Sequence, residues 1–386
     1  MSVTAESAPT LGVEEEFLLL AAASGRAVLA STEMLERLAG EPAVTPEFLR
    51  YQIETASRVC DGLGQVRSEL GRLRGLLAGA ANQAGCVLAA CGVVPFGGQA
   101  GPAAVTDRPR YRQLAARFPA LVANGGTCGC HVHIGVSSRE LGVEVLARIR
   151  PWLPQLLAVS ANSPVARGQD TGWASWRYPL WSSWPTVRTP EAWTDVEHYD
   201  ASVRRLVDSG AAIDPRSVHF HARLSPRYPT VEVRVADVCL TVDHAVLLAG
   251  LVRALVVTAS GEFRDGRPPP SVPSRTITAA LAAAARNGLG GAGIDIATGA
   301  VVPQRHLLDR LLDHVRPGLR TTGDGAEVER LAGQVITSGT GADQQRELWA
   351  ATGTPAEFVG ALAEATAAGS TAKGPAGILG ADLGEP

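Results

Sequence analysis

Lysine is almost absent from this sequence: among 386 residues the only one is Lys373, so nearly all of the 35 basic side chains are arginine. A P-loop needs a lysine after its glycines, and Schiff-base chemistry or a pyridoxal anchor needs one too. Lys373 lies in a Gly/Ala-rich end segment, a poor setting for a catalyst. A protein so composed that uses ATP must hold the phosphates with cations and arginine. An excess of either charge is also missing. The 35 basic and 38 acidic side chains leave a net charge of −3, which argues against a nucleic-acid partner, since that needs a basic field. The opening residues MSVTAESAPT lack the basic and apolar regions of a leader. The longest apolar run, Ala245 to Ala259, is broken by Arg253 and falls short of a bilayer span, so no membrane is expected. The six cysteines, Cys60, Cys86, Cys91, Cys128, Cys130 and Cys239, show no disulfide-framework spacing. A cytoplasmic, reducing location is the matching expectation.

What is present is a mixture of two periodicities. Alternation of apolar with polar or small residues predicts strands near Leu11–Leu20, Leu49–Thr55, Val87–Val94, Cys128–Val136, Val218–Leu224 and Thr230–Val235. Longer stretches near 62–84, 140–160, 190–209 and 241–262 read as helices. No regular βαβ repeat joins them, so an α+β fold with an antiparallel or mixed sheet and helices packed on it is expected. After Arg264 a Pro-rich loop leads into Ala-rich helical stretches near 275–287, 304–316, 325–337 and 355–367. The last begins with Thr354-Pro355-Ala356-Glu357, a capping box with proline at the first helical position. The expected organisation is a core over 1–264, a helical part of the same domain over 265–367, and a flexible tail over 368–386.

Side chains two apart on a strand share a face. In GVEEEF this groups Glu14 with Glu16, opposite Val13, Glu15 and Phe17. In YQIET it groups Gln52 with Glu54, and in TCGCHVHIGV it groups His131 with His133, opposite Cys128 and Cys130. His219, His221 and Arg223 form a fourth such set, and Glu232 with Arg234 a fifth. Five strands thus each offer one apolar face and one face rich in Glu, His or Arg. Converging, the polar faces would make a concave site whose carboxylates repel unless cations neutralise them. Mg²⁺ and Mn²⁺ take such oxygen ligands and bridge phosphates, and Mn²⁺ tolerates imidazole better.

The CGCHVH cluster also suggests zinc, but strand parity points its cysteines and histidines to opposite faces. A second informative stretch is Asn162 to Thr186, where Trp173, Trp176, Trp181 and Trp184 interleave with Arg167, Asp170 and Arg177. Its turn formers predict a long structured loop, whose arginines could hold a carboxylate bidentately and whose tryptophans could exclude water or anchor the loop.

GVEEEF, GTCGCHVHIGV, NSPVARGQDTGWASWR and TVEVRVAD, in this order over about residues 11 to 260, resemble the motifs of the YbdK-type carboxylate–amine ligases, also labelled glutamate–cysteine ligase type 2. The resemblance implies a glutamine-synthetase-like fold, in which six antiparallel strands curve into a funnel that holds ATP and divalent cations, Mg²⁺ or Mn²⁺, with helices on its outer face. It implies ATP-dependent phosphorylation of a carboxylate and attack of an amine on the acyl phosphate, with L-glutamate the expected acid and L-cysteine an expected amine. By motif position Glu14, Glu16, Glu54, His131 and Glu232 would be metal ligands, and Arg234 would lie against the transferring phosphate. His133, Arg167, Arg177 and Arg223 are candidates for substrate contact, and His133 or Glu54 for taking the amine's proton. A phosphotransferase acting on a nitrogen acceptor and a non-catalytic nucleotide- or metal-binding protein are the alternatives. Small-molecule carboxylate and amine partners are expected, and a homo-oligomer fits such a sheet although no residue demands one.

Overall fold

Six of the strands form one continuous antiparallel path, as a computed structural model describing residues 8–98 and 101–369 shows. Lys373, and the expected tail beyond Gly369, lie outside the described residues. The strands are β1 (Leu11–Leu20), β2 (Val44–Pro46), β3 (Gln52–Ala56), β4 (Val87–Ala89), β5 (Gly129–Gly135), β6 (Ala222–Leu224) and β7 (Thr230–Asp237). The path runs β2-β3-β1-β5-β7-β6, and β4 adds a seventh strand by pairing with the far end of β1. β1 is the axis of the sheet. It pairs with β3 along Glu14–Leu18 on one side, and with β5 along Leu11–Glu15 on the other. This register sets Glu16 beside Glu54 and Glu14 beside His131.

Several expected strands shorten. Val87–Val94 keeps three strand residues, and Val218–Leu224 keeps only Ala222–Leu224. β2 escapes the alternation rule because it has three residues and ends in proline.

The helices cover the apolar face. They include α1 (Leu63–Gln83), α2 (Arg139–Ile149), α3 (Leu153–Ser160) and α4 (Val242–Arg264). The helix expected over 140–160 breaks at a 3₁₀ turn, Arg150–Trp152, where Pro151 has no N–H to continue the ladder. α4 corrects an expectation: at 23 residues it is long and apolar enough to cross a bilayer, yet most of its apolar window is buried inside the protein. Its interrupting Arg253 is buried too, donating to Asp324 and to the carbonyls of Pro9 and Asp61.

The chain continues through α5 (Ser274–Asn287), α6 (Gln304–Thr322), α7 (Gly325–Ser338), α8 (Gly341–Ala351) and α9 (Pro355–Ala367). The capping box at Thr354 and Glu357 is formed, and a second one at Thr340 and Asp343 starts α8, which the periodicity does not reveal. These helices share cores with the sheet. Leu281, Leu308, Leu311 and Leu331 join Val132, Val233 and the α4 leucines in one cluster. Phe358, Val359 and Leu362 join Phe17, Leu19 and Ile53 in the other.

Candidate active site

Side chains from all six strands of the path line one cavity of about 790 Å³, an arrangement that requires the sheet to curl around it. β1 contributes Glu14 and Glu16, β3 contributes Glu54, and β5 contributes His131 and His133. From the far edge β6 and β7 contribute Arg223, Glu232 and Arg234. Cys130 of β5 and Cys128 just before it point the other way, into the core; burial holds the Cys128 thiol, and the neighbouring Cys239 together with burial the Cys130 thiol, well above the ordinary range. Gly129 lies between them because a Cβ there would come within 2.4 Å of the Arg177 guanidinium. Its N–H donates to Glu16 Oε2 at 2.6 Å and fixes that carboxylate.

Three sets of side chains bring one ligand atom each to within 4.8 Å of one another: Glu14, Glu54 and His131; Glu14, His133 and Glu232; Glu16, Glu47 and Glu54. Glu47 is absent from the sequence reading. It follows β2 by one residue, so it shares a face with Thr45, which pairs with Glu54 in the sheet. The alternation Thr45-Pro46-Glu47 is the signal that would have found it, and Pro46 masks it by reading as a turn.

The electrostatics mark these carboxylates as under strain. Burial, with Glu16 beside it, pushes Glu47 up to about 7. Burial and the neighbouring Glu47, Glu14 and Glu16 push Glu54 well above the carboxylate range, and a hydrogen bond from Thr45 at 3.0 Å only partly offsets them. Glu14 goes the other way. Burial opposes its charge, but His131 at 3.2 Å and His133 at 3.4 Å outweigh it and hold the carboxyl below its usual range. Glu232 is held well below its usual range against burial by Arg234 and Arg223. A cluster that is part repelled and part compensated, with oxygen and imidazole donors and a buried His133 Nε2 that makes no hydrogen bond although Glu14 lies 3.4 Å away, fits divalent cations.

The predicted arginines divide. Arg234 Nη1 donates to Glu232 and lies 3.4 Å from His131 Nδ1, while its buried Nε has no partner among the described residues. Arg223 lines the cavity but is engaged: Nε and Nη2 donate to Glu232 at 2.8 and 3.2 Å, and Nη1 donates to the carbonyls of Arg216 and Val218. Its expected substrate contact would therefore have to share a guanidinium whose three nitrogens already serve Glu232 or the backbone. Arg177 is buried over the Trp181 ring at 4.4 Å and donates to the carbonyls of Val235 and Arg234. Arg167 does not join the others. It sits exposed at the turn of a small hairpin, Val165–Ala166 with Gln169–Asp170, in a left-handed conformation (φ 54°) and outside the cavity lining. Arg167→Ala is expected to leave ADP release unchanged; a loss of more than about tenfold would return it to the site.

The tryptophan-rich segment splits likewise. Trp181 and Trp184 line the cavity, whereas Trp173 and Trp176 pack on each other. Asp237 at the end of β7 ties the segment down, accepting from Asn162 N, Ser163 Oγ and Ser175 Oγ at 2.7–2.9 Å.

Comparison with known proteins decides the class. The model of glutamate–cysteine ligase family 2 matches residues 10–368. The chain belongs to this family. It is thus an ATP-dependent carboxylate–amine ligase. A relative from Mycobacterium sp. (strain KMS), provisionally named glutamate–cysteine ligase 2-2, is 41% identical over 362 residues, 93% of this chain and 99% of that one. A Saccharopolyspora erythraea relative, provisionally named glutamate–cysteine ligase 2-1, is 44% identical over 341 residues, 88% and 90% of the two chains. Among solved structures, the glutamate–cysteine ligase of Francisella tularensis in complex with AMP superposes with a TM-score of 0.70 at 14% identity, covering 96% of this chain and 91% of that one. A bifunctional glutathione synthetase from Pasteurella multocida gives 0.63 at 13% identity, covering 94% and 52%. At such identities these two show a shared fold, and the ligase's sheet and helices follow it.

Proposed function

We propose that this ligase phosphorylates the γ-carboxyl of L-glutamate with ATP and joins the acyl phosphate to an amine, L-cysteine being the first to test. The single observation that carries this reading is the set of three carboxylate and imidazole triads in one cavity, with Arg234 beside them. The names of the relatives supply the acid and the amine. In the first step a γ-carboxylate oxygen attacks the terminal phosphorus and ADP leaves. In the second the amine nitrogen attacks the acyl carbon, the C–O bond to the phosphoryl group breaks, and phosphate leaves while the proton lost from nitrogen passes to it or to solvent.

Glu14, Glu16, Glu47, Glu54, His131, His133 and Glu232 would hold Mg²⁺ or Mn²⁺. When bound, the cations neutralise and align the phosphates, the main requirement of phosphoryl transfer. Arg234 aims a guanidinium at the oxygens on which charge gathers, a role a lysine-poor chain must give to arginine. Glu54 is assigned to the cations rather than to the amine's proton, because its closest charged neighbours are other carboxylates. Use of ATP goes with a cytoplasmic location.

The test is ADP release from ATP with Mg²⁺ or Mn²⁺ and L-glutamate, with and without L-cysteine, and with hydroxylamine as a trap. Glutamate-dependent ADP release with a trapped hydroxamate is the expected result. ADP release without hydroxamate, and with a phosphorylated nitrogen acceptor, would overturn the acyl-phosphate route. Arg234→Lys is expected to lower kcat by about 10²–10³-fold, since an ammonium cannot reproduce the fork. A loss under about threefold would remove Arg234 from the phosphate.

A further inference from the structure

Seven guanidinium groups line the cavity: Arg108, Arg110, Arg177, Arg216, Arg223, Arg227 and Arg234. Five are engaged. Arg110 donates to Asp214 and Ser217, Arg216 lies 3.7 Å from Asp214, and Arg177, Arg223 and Arg234 are held as described. Only Arg108 and Arg227 offer a guanidinium with no hydrogen bond or ion pair among the described residues. They stand at opposite ends of the sheet. Arg108 adjoins the aromatic wall of Phe48, Tyr111 and Trp184 beside β2, while Arg227 lies in the turn between β6 and β7.

The turn that carries Arg227 is fixed at its backbone. Ser225 Oγ accepts from the N–H groups of Arg227 and Tyr228 at 3.3 Å each, Ser225 N donates to Thr230 O at 3.0 Å, and Val136 N donates to Pro229 O at 3.0 Å. Tyr228 then meets the His133 ring edge-on, with centroids 6.1 Å apart. The backbone of Arg227 is therefore fixed on the side of the centre where Tyr228 meets His133, and its exposed side chain lines the cavity there. A charged fork kept without a partner on an ordered turn, next to a polar cavity, is suited to an anionic ligand group.

We propose that Arg227 is a specificity-determining residue that binds a second carboxylate of the acid substrate, the one that is not phosphorylated. This rests on the ligase reading above and deepens it: the acid is a dicarboxylate whose reacting carboxyl lies toward Arg234 and the cations the acidic centre would hold, and whose second carboxylate meets Arg227. A planar fork matches a carboxylate bidentately. Arg223, a candidate for substrate contact on the same side, already donates through all three nitrogens to Glu232 and the backbone.

The experiment compares wild type, Arg227→Ala and Arg227→Lys with L-glutamate and with 4-aminobutyrate, which keeps the reacting carboxyl and lacks the α-carboxylate. With hydroxylamine as common acceptor, Arg227→Ala is expected to raise the KM for glutamate by about 10- to 100-fold, the loss typical of a charged hydrogen-bonded pair, with kcat within about threefold. The preference for glutamate over 4-aminobutyrate should fall by the same factor, the KM for ATP should stay put, and Arg227→Lys should fall between. A general structural role would not move the preference selectively. A raised KM for ATP instead would assign Arg227 to a phosphate and overturn the proposal, as would an unchanged preference in a variant that still releases ADP. If the wild type ignores glutamate but turns over another dicarboxylate, the substrate reading falls. The same comparison on that acid and its monocarboxylate counterpart then decides Arg227, and an unchanged preference overturns its role.

Discussion

Glu14→Gln is expected to lower turnover by about 10³-fold or more, a barrier increase of roughly 4 kcal/mol, while shifting Tm by no more than about 2 °C. Two features set the size of the first effect. Glu14 belongs to two of the three donor triads, so one substitution weakens two cation sites together. It also pairs with His131 Nδ1 at 3.2 Å, so the orientation of that ring toward the centre loosens with it. The small effect on stability follows from the surroundings. Glutamine keeps the volume and one acceptor for His131. Removing one negative charge relieves Glu54, which Glu14 helps to push up. The pairing of β1 with β3 and β5 is a backbone matter and is untouched. Steady-state ADP release and thermal melting, run with Mn²⁺ titrations, check all three statements. Near-normal turnover would sink the assignment of the acidic centre to catalysis. A large loss of Tm would mean that Glu14 serves the fold.

The legibility of this site in the sequence follows strand parity. Where strands are long enough to alternate, as in β1, β5 and β7, the faces of Glu14, Glu16, His131, His133, Glu232 and Arg234 are readable, and the structure brings these side chains into one cavity. Parity says which face, but not which partner. Arg223 and Glu232 pair across β6 and β7, and that register depends on the turn at 225–229, which carries no periodic signal. Arg223 therefore reads as a candidate for substrate contact although it is engaged with Glu232, and Arg227 carries no signal in the sequence at all. Glu47 is hidden by the brevity of β2 and by Pro46. Arg167 sits in a motif whose neighbours Asn162, Ser163 and Ser175 serve Asp237, so proximity in sequence to a conspicuous motif does not place it near the chemistry. The helices are more legible, except α8, whose buried face carries a polar anchor: Gln345 donates to Asn162 O and Oδ1 at 2.9 and 2.7 Å, beside Trp349 packed on Phe96 and Phe358.

One residue along from Glu14, the opposite outcome is expected. Glu15→Ala should cost about 3–5 kcal/mol of stability, the range for breaking a buried ion pair from one side. Parity turns Glu15 to the apolar face, where it and Arg74 of α1 are fully buried. Arg74 donates Nε and Nη2 to the two Glu15 oxygens at 3.0 and 2.5 Å. It also donates to the carbonyls of Cys239, Leu240 and Thr366 at 2.7–3.2 Å. One guanidinium thus ties together β1, α1, the β7–α4 junction and the end of α9. Without Glu15 its charge stays buried and uncompensated. Replacing both partners, as in Glu15→Leu with Arg74→Met, removes the buried charges and should recover part of the loss. It cannot recover all of it, because three carbonyls lose their donor, at about 1–3 kcal/mol for each that stays dry. The double variant should therefore lie between wild type and Glu15→Ala in denaturant melts. A Glu15→Ala protein with wild-type stability would falsify the claim that the middle glutamate of GVEEEF builds the fold while its two neighbours build the site.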